Sequence, residues 1–567
     1  MGRSHRREPR RQTRRTDPVG LIGTNAELIA HILKAAGVRY AAGIPSGQVL
    51  AIIEAMRGVG IEYVLVSHEG AAGFMADVIG RVSGVPGVGI ATVGPGATNL
   101  TTGIGNAFLD RSPALAVTGQ VPVAQLNRRV QMRIDHQALF RPITKGTYQL
   151  TGKEDVAQTV SAALALAAGE PPGPVHLDLP EDVATAPAVP LPPPERSDPA
   201  GWHRERRGEG APSPAKAPDL DAVLARLKAA RKPVAALGFS LYRSGALPEL
   251  RRFLEANHIP FVTTNMAKGV VPEDHHLWLG VVGRVRRKTI EDYLAQADLV
   301  IGIGYDPVEI SYEEWMPPAP LVHVDGEKAD VGPTVRLEAE AIGPLGASIR
   351  ALADAKPVTN DWDDAEMAVF RATLESSIRL NEAEGFQPWQ ALDVMREVLP
   401  PDAILACDVG AHTHLVATQW RVTVPETLLV SNGWSSMGYA IPAALGAKLA
   451  APNRTVAAVM GDGCFLMMAG EMATAARLGL PIPFVVLNDS WLSLIKVKQE
   501  RRDYAYSGVE VSQRPAEPPS DYFGVPNHVV RTSAELRQAL THALRANGPT
   551  VIEALVRPEI YSTILYG

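Results

Sequence analysis

The chain has 567 residues, 46% of them hydrophobic and 20% charged, so it can bury several hydrophobic cores. At about 150 residues per domain the length indicates three or four domains, and three fit the compositional breaks better. The net charge of −6, from 55 basic and 61 acidic residues, gives no global field suited to nucleic acid or to an anionic membrane surface. This balance favours small-molecule chemistry.

Two further features concern location. Cys407 and Cys464 are the only cysteines, too few for a secreted disulfide scaffold, which favours a reducing cytoplasm. No apolar run is long enough to span a membrane. Residues 1–21 are rich in arginine and have no apolar stretch behind them, so we expect a disordered basic tail and no signal peptide. A contact between this tail and a polyanion is the weaker alternative.

Three segments alternate helix-like and strand-like patterns. Each predicts a doubly wound α/β domain with a mostly parallel sheet. A proline-rich stretch and a polar stretch separate these segments and predict a linker and a connector. The predicted order is domain 22–183, linker 184–218, domain 219–355, connector 356–385 and domain 386–567.

In the first domain, the strand-like residues 63–67 end at His68 and Glu69, and a helical pattern follows over 70–80. Glu69 is therefore predicted at a strand-to-helix turn. A glutamate that only favours the helix dipole is the alternative interpretation. For His68 a structural role is at least as consistent with the sequence as a catalytic one.

A second turn in the first domain is rich in glycine. The apolar residues 88–93 lead into a segment that begins at Gly94 and includes Asn99. A turn of this kind at a strand end can present backbone N–H groups to an anion, although alone it is a weak signal.

The central domain has strand-like runs at 233–238, 260–264, 299–304 and 321–325. Its glycines at 302 and 304 lack the third glycine and the helix start of a dinucleotide-binding fingerprint. We therefore do not infer FAD.

The third domain carries the strongest motif. An apolar strand pattern at 455–460 ends directly in Gly461-Asp462-Gly463-Cys464. The two glycines let the backbone approach a phosphate closely, and Asp462 offers the hard oxygen that Mg²⁺ prefers. The alternative is a glycine turn with a capping aspartate.

A second strand tip is predicted beside the first. Residues 469–479 have a helical pattern that ends in glycine, and the apolar strand 483–488 follows. A right-handed βαβ connection returns this strand next to its start. Asn488 or Asp489 can then supply a second side-chain oxygen, and the carbonyl of Trp491 a third.

The GDG at 461–463 followed by LND at 487–489 resembles the cofactor motif of the thiamine diphosphate enzymes. Glu69, the GPGATN segment from Gly94, and the segments 408–412 and 431–438 match this family as well. The resemblance implies the three-domain architecture of pyruvate oxidase and pyruvate decarboxylase, with thiamine diphosphate and Mg²⁺ as cofactors. Equal spacing places Asp489 where the family usually has asparagine.

The resemblance also implies individual roles. Glu69 would activate the cofactor at the ring nitrogen N1′, Met437 would wedge between its two rings, and the carbonyl of Ser435 would accept a hydrogen bond from the 4′ nitrogen. Mg²⁺ would be bound by Asp462, Asp489 and the carbonyl of Trp491. The other predicted cofactor-binding residues are Pro45, Gly94, Asn99, Val409, Gly410, Ala411, His412, Gly461, Gly463 and Cys464.

The first domain supplies Glu69 and the third supplies the diphosphate site, and in relatives the two face each other across a subunit interface. The resemblance therefore implies a homodimer, or a homotetramer built from it, with active sites between subunits.

Several segments resemble acetolactate synthases, most closely the catabolic, flavin-independent branch. These segments are 303–309, 321–325, 507–510 and the stretch from Gln131 to Lys145. The implied reaction is decarboxylation of a 2-oxo acid, by default pyruvate, and ligation of the resulting enamine to a second carbonyl. A non-ligating decarboxylase, an acyl transferase and a non-enzymatic homologue are the alternatives.

Three residues bear on the choice of substrate. Gly47 stands where pyruvate decarboxylases have an aspartate, which leaves room for a second 2-oxo acid. Gln131 matches a catalytic and substrate-contacting position. Lys498 replaces a tryptophan of the anabolic enzymes and is predicted in a loop-like stretch that closes over the substrate, so acceptor choice stays open; a solvated basic helix face is the equal alternative.

Overall fold

Three β-sheets, one in each predicted domain, organise the chain. The structure is a computed structural model that describes residues 22–189, 216–283, 287–310, 313–379, 384–512 and 518–565. The predicted basic tail at 1–21 and most of the predicted linker, 190–215, lie outside the described residues. Within the described residues, no helix is both long and apolar enough to cross a bilayer.

The first unit is a parallel sheet of six strands in the order β2-β1-β3-β4-β6-β5. Its elements are α1 (Asn25–Ala35), β1 (Tyr40–Gly43), α2 (Leu50–Gly58), β2 (Glu62–Leu65), α3 (Glu69–Ser83), β3 (Gly87–Ala91), α4 (Pro95–Leu109), β4 (Ala114–Gln120), α5 (His136–Phe140), β5 (Thr147–Gln149), α6 (Val156–Ala168), β6 (Pro174–Pro180) and α7 (Glu181–Thr185).

Helices α3 and α4 pack against each other through glycine. A Cβ atom on Gly73 would lie 2.8 Å from the Cα of Gly103, and one on Gly103 would lie 2.3 Å from the carbonyl carbon of Gly73. Only glycine at both positions permits this approach. Because Glu69 is the first residue of α3 and Asn99 lies in the second turn of α4, the same packing brings these two side chains together.

The central unit is a second parallel sheet, in the order β12-β11-β10-β7-β8-β9. Its helices include one from the predicted connector, whose Met367, Phe370 and Leu374 are buried in the core of this unit. Its elements are α8 (Asp221–Ala229), β7 (Pro233–Leu237), α9 (Leu247–Ala256), β8 (Phe261–Thr263), β9 (Trp278–Val281), α10 (Arg287–Leu294), β10 (Leu299–Ile303), β11 (Leu321–Asp325), β12 (Leu337–Ile342), α11 (Leu345–Asp354) and α12 (Asp364–Ser376).

The third unit has seven strands in the order β14-β13-β15-β16-β19-β18-β17, parallel except for β17. Its elements are α13 (Pro388–Val398), β13 (Ile404–Cys407), α14 (Ala411–Gln419), β14 (Leu428–Val430), α15 (Ala440–Ala450), β15 (Val456–Gly461), α16 (Asp462–Met468), α17 (Glu471–Leu478), β16 (Pro483–Asn488), α18 (Ser493–Glu500), β17 (Asp521–Tyr522), β18 (Val525–Val530), α19 (Ser533–Ala543), β19 (Thr550–Leu555) and α20 (Ile560–Ile564).

The first and third units share one hydrophobic core. Phe74 and Met75 of α3 belong to the same buried cluster as Tyr439, Ile441 and Phe465 of the third unit. This packing fixes the start of α3 relative to the helices that follow β15, so residues that are several hundred positions apart in sequence lie close together.

Candidate active site

Two helices of the third unit begin at the same edge of its sheet. Strands β13 and β15 are parallel neighbours, with Cys407 opposite Val459. Helix α14 starts after Gly410, and α16 starts directly after Gly461. The first N–H groups of a helix have no partner within it, and the helix dipole is positive at this end. The two starts therefore form a site suited to a phosphate or diphosphate.

The two glycines bring these helix starts against an imidazole. The Nδ1 atom of His412 lies 3.0 Å from where a Cβ on Gly410 would be, and 3.6 Å from a Cβ on Gly461. His412 is buried, and its Nε2 atom has no hydrogen-bond partner. Burial lowers the pKa of His412 to about 4, so its ring is neutral at pH 7. In a neutral ring only one nitrogen carries a proton, so His412 would donate to a diphosphate oxygen in the tautomer that is protonated at Nε2.

The Asp462 carboxylate has one unsatisfied oxygen. Its Oδ1 accepts the Gly463 N–H at 2.9 Å, but its Oδ2 is buried without a partner. Burial, followed by the nearby Asp489 carboxylate, raises the pKa of Asp462 to about 7. A buried carboxylate with an orphaned oxygen and a partly buried carboxylate beside it fit a hard divalent cation, because the cation would supply both the missing ligand and the missing positive charge.

Asp489 and Asn488 differ in their surroundings. The Oδ1 of Asp489 accepts the Trp491 N–H at 2.9 Å, and its Oδ2 accepts the Ser493 hydroxyl at 2.6 Å. Burial raises the pKa of Asp489 to about 6. The Asn488 amide instead donates to Glu553 at 2.6 Å. The electrostatic neighbour of Asp462 is thus Asp489, which favours it as the second metal ligand.

Asp408 organises the edge of this site. Its Oδ1 accepts the N–H groups of Val409 at 2.8 Å and Gly438 at 2.9 Å, and its Oδ2 accepts that of Ala440 at 2.8 Å. Asp408 is fully buried and ties the end of β13 to the segment that carries Met437. The thiol of Cys464 lies 3.1 Å from the carbonyl oxygen of Val409 and joins α16 to the same edge.

Met437 lies beside the GDG turn. Its Cε atom is 3.5 Å from the position of a Cβ on Gly463, and the side chains of Leu492 and Val511 lie at the same point. Two residues earlier, Ser435 has a left-handed backbone with φ of 52°. The predicted wedge thus stands next to the predicted metal turn, among apolar side chains.

Glu69 occupies a pocket in the first unit. It is 7% exposed, and its Oε2 accepts a hydrogen bond from the Asn99 amide at 2.9 Å. A Cβ on Gly96 would lie 3.2 Å from its Oε1, so the glycine-rich turn fits closely against the carboxylate. His68 caps α3, because its Nδ1 accepts the Gly70 N–H at 3.0 Å.

A buried network that the sequence did not indicate supports the glycine-rich turn. The Nε2 of His136 accepts the Gly94 N–H at 3.2 Å, and its Nδ1 lies 2.8 Å from Asp178. Because Nε2 accepts the Gly94 N–H, it is the Nδ1 atom that donates to the Asp178 carboxylate. Burial acts to raise the pKa of Asp178, but hydrogen bonds from His136 and Thr118 lower it overall.

The predicted substrate residues are exposed. Gly47 follows β1, and a Cβ there would meet no atom within 4 Å; Pro45 and Gln131 are also on the surface. The prediction of a loop around Lys498 is wrong, since this exposed lysine lies in α18. The chain continues helical here because Leu494 and Val497 pack on the third unit.

Three models of the thiamine pyrophosphate enzyme family match the chain. The N-terminal TPP binding domain matches residues 23–139, the central domain 220–352 and the C-terminal TPP binding domain 408–554. Together they cover most of the described residues. The matched ranges contain both the Glu69 pocket and the paired helix starts.

Similar proteins extend over nearly the whole chain. An acetolactate synthase of Bacillus subtilis is 29% identical over 94% of this chain and 93% of its own length. A probable acetolactate synthase large subunit of Methanocaldococcus jannaschii is 31% identical, over 94% and 92%. The acetolactate synthase isozyme 1 large subunit of Escherichia coli is 31% identical, over 94% of both chains.

The three α/β units and the matches to all three domain models define a thiamine diphosphate-dependent enzyme. The chain belongs to the thiamine pyrophosphate enzyme family. Within it, the chain is a carboligase of the acetolactate synthase type, which couples decarboxylation to carbon–carbon bond formation.

Proposed function

We propose that the protein converts two pyruvate molecules to acetolactate and carbon dioxide, with thiamine diphosphate bound through Mg²⁺. The observation that carries this proposal is the sheet edge where α14 and α16 begin. There, an unpartnered His412 nitrogen and an unpartnered Asp462 oxygen lie buried beside two helix starts. The acetolactate synthases of similar sequence supply the choice of pyruvate.

The residues at this edge fit the cofactor. The N–H groups at the starts of α14 and α16, together with His412, would bind the diphosphate. Asp462 and Asp489 would bind Mg²⁺, with the carbonyl of Trp491 as a third protein ligand. The raised pKa of both carboxyl groups in the protein alone supports this assignment, because a cation would stabilise both ionised forms.

When bound, thiamine diphosphate supplies the carbanion that attacks the ketone carbon of a 2-oxo acid and accepts the electron pair left by carbon dioxide. Glu69 would hold a proton at the N1′ atom of the pyrimidine ring, and Asn99 fixes the direction of that carboxylate. Met437 would impose a bent cofactor shape. Gly47 and Gln131 would lie toward the second substrate, and the open space at Gly47 would admit its carboxylate.

A homodimer completes the proposed site. The Glu69 carboxylate contacts Asn99 and the Gly96 turn within its own unit. Leu466 is 62% exposed and Met467 is 57% exposed, and both lie in α16, the helix that begins at the predicted metal ligand Asp462. Exposed apolar side chains at such a place favour burial against a second copy, whose Glu69 would face this diphosphate site.

A cytoplasmic location is part of the proposed function, because two cysteines are too few for a secreted disulfide scaffold.

Product analysis tests the proposed reaction. The purified protein is incubated with thiamine diphosphate, Mg²⁺ and a panel of 2-oxo acids, and carbon dioxide and ligation products are identified by mass spectrometry. Acetolactate from pyruvate is expected. Acetaldehyde as the only product would instead indicate a non-ligating decarboxylase, and inertness toward pyruvate would exclude it as the substrate. A requirement for phosphate or coenzyme A would indicate an acyl transferase.

A further inference from the structure

One carboxylate of the third unit reaches into the first unit next to Glu69. Glu471, the first residue of α17, is 1% exposed. Its Oε1 accepts the backbone N–H groups of Ser67 at 2.9 Å and His68 at 3.0 Å. Its Oε2 accepts the Thr474 hydroxyl at 2.7 Å, which fixes the direction of the carboxylate.

Neighbouring residues extend this contact along the same backbone. The Ser67 hydroxyl donates to the carbonyl of Gly470 at 2.8 Å, and the Arg477 guanidinium donates to the carbonyl of Leu65 at 2.7 Å. The end of β2 and the turn before α3 are therefore bound by one short stretch of the third unit, 470–477. We call this stretch the 470–477 clamp.

We propose that Glu471 is a positioning residue for Glu69, an inference that rests on the proposed function of Glu69 as the acid–base group at the cofactor. Glu471 binds the two peptide N–H groups immediately before Glu69 and so sets where the first turn of α3 begins. Hydrogen bonds to a carboxylate are about twice as strong as neutral ones. A displacement of a catalytic group by about 1 Å can cost ~100-fold in rate.

The clamp also connects the two halves of the site. Helix α16 begins at Asp462 and is followed closely by α17, so the predicted metal ligand and Glu471 lie on one short stretch, 462–471. In the proposed dimer, the Glu69 turn that Glu471 holds serves the partner's cofactor.

Three variants test this role: Glu471→Ala removes the acceptor, Glu471→Gln keeps an acceptor oxygen without the charge, and Arg39→Ala is the control. Arg39 also joins the first unit to the third, through a 3.0 Å hydrogen bond to the carbonyl of Ala450, but lies outside the clamp. The first measurement is hydrogen exchange at the Ser67 and His68 amides without cofactor. The second is the exchange of the C2 hydrogen of bound thiamine diphosphate in D₂O, followed by NMR, which requires Glu69 but no 2-oxo acid.

Glu471→Ala should lose protection at both amides and slow C2 exchange by ~10- to 100-fold, while the affinity for Mg²⁺ and thiamine diphosphate changes less than about threefold. Glu471→Gln should recover most of the C2 exchange rate, and Arg39→Ala should remain within about threefold of wild type. If the alanine variant does not fold, Glu471→Asp, which withdraws the carboxylate by one methylene, should show the same loss.

Wild-type C2 exchange in folded Glu471→Ala would overturn the inference. A loss in Glu471→Gln as large as in the alanine variant would also overturn it, because glutamine keeps the acceptor oxygen. A different result would contradict the proposed function. A wild-type protein that exchanges the C2 hydrogen but forms no acetolactate contradicts the proposed carboligation, and the effect of Glu471 on exchange can still be measured in it.

Discussion

Replacing Glu69 with glutamine separates the chemistry of this side chain from its place in the fold. Glutamine has the same shape and can still accept the hydrogen bond from Asn99, which is 2.9 Å long in the wild type. It cannot gain or lose a proton in the neutral pH range. Glu69→Gln should therefore leave the pocket intact and remove the acid–base step at the cofactor.

The two effects differ in size. Exchanging the carboxyl oxygen that accepts the Asn99 hydrogen bond for an amide oxygen should change the free energy of unfolding by about 1 kcal/mol. Losing a general acid–base group costs typically 10²- to 10⁴-fold in rate, or about 3–5 kcal/mol in the barrier. Turnover should fall by that factor, while the affinity for Mg²⁺ and thiamine diphosphate, which rests on the third unit, stays within a few-fold.

The assay combines steady-state acetolactate formation with calorimetric titration of the cofactor. Glu62→Gln is a suitable control, because Glu62 is an exposed glutamate at the start of β2 in the same unit. It should have wild-type activity. Turnover of Glu69→Gln within about twofold of wild type would refute the assigned role, since no acid–base step could then depend on this carboxylate.

Three other substitutions test the metal ligand Asp489, the second-substrate position Gly47 and the buried carboxyl group of Glu309. Asp489→Asn keeps a side-chain oxygen but removes the charge that, with burial, raises the pKa of Asp462. Mg²⁺ binding should therefore weaken by only ~10-fold, and the metal-free protein should gain stability at pH 8. Calorimetric Mg²⁺ titration and melting curves measure the two effects, and complete loss of Mg²⁺ binding would contradict the prediction. Gly47→Asp should fold normally, because a Cβ at this position meets no atom within 4 Å. It should shift the ratio of acetaldehyde to acetolactate formed from pyruvate by ~10-fold, as measured by chromatography. An unchanged ratio would argue against Gly47 as a position that contacts the second substrate. Burial raises the pKa of Glu309 from 4.5 to about 8, so the folded protein keeps a proton that the unfolded chain loses, and wild-type stability falls as the pH rises through that window. The stability of Glu309→Gln relative to wild type, from denaturant unfolding, should therefore increase between pH 4.5 and about 8, and a constant difference would show that the group does not titrate in this way.

The sequence predicted the buried parallel strands well, for a physical reason. Strands covered on both faces are continuous apolar runs, so β15, which ends at Gly461, and β16, which ends at Asn488, were recognisable. Shorter or less apolar strands such as β1 and β5 were not. The helix α16 was also missed, because its second residue is Gly463, a poor helix former whose place depends on the close approach of Leu492.

For the candidate site, the sequence indicated the side chains at strand ends but not the hydrogen-bond partners that fix their position. The predicted roles of Glu69, Met437 and Asp462 follow from local motifs and remain predictions. Asp408 was visible only as part of a motif, and its three accepted N–H groups are a property of the folded chain. Glu471 acts about 400 positions away from the backbone it binds, and no local pattern marks such a contact.

The position of the segment 431–440 depends on hydrogen bonds to all three units of the fold. Gly433 donates to Asp110 of the first unit at 2.8 Å, and Asn432 donates to the carbonyl of Glu309 in the central unit at 2.6 Å. Asp408 of the third unit accepts from the far end of the segment. Met437 lies between these anchors, so its place beside the GDG turn depends on all three sheets. The central unit therefore helps to place Met437 beside the GDG turn through the hydrogen bond between Asn432 and Glu309.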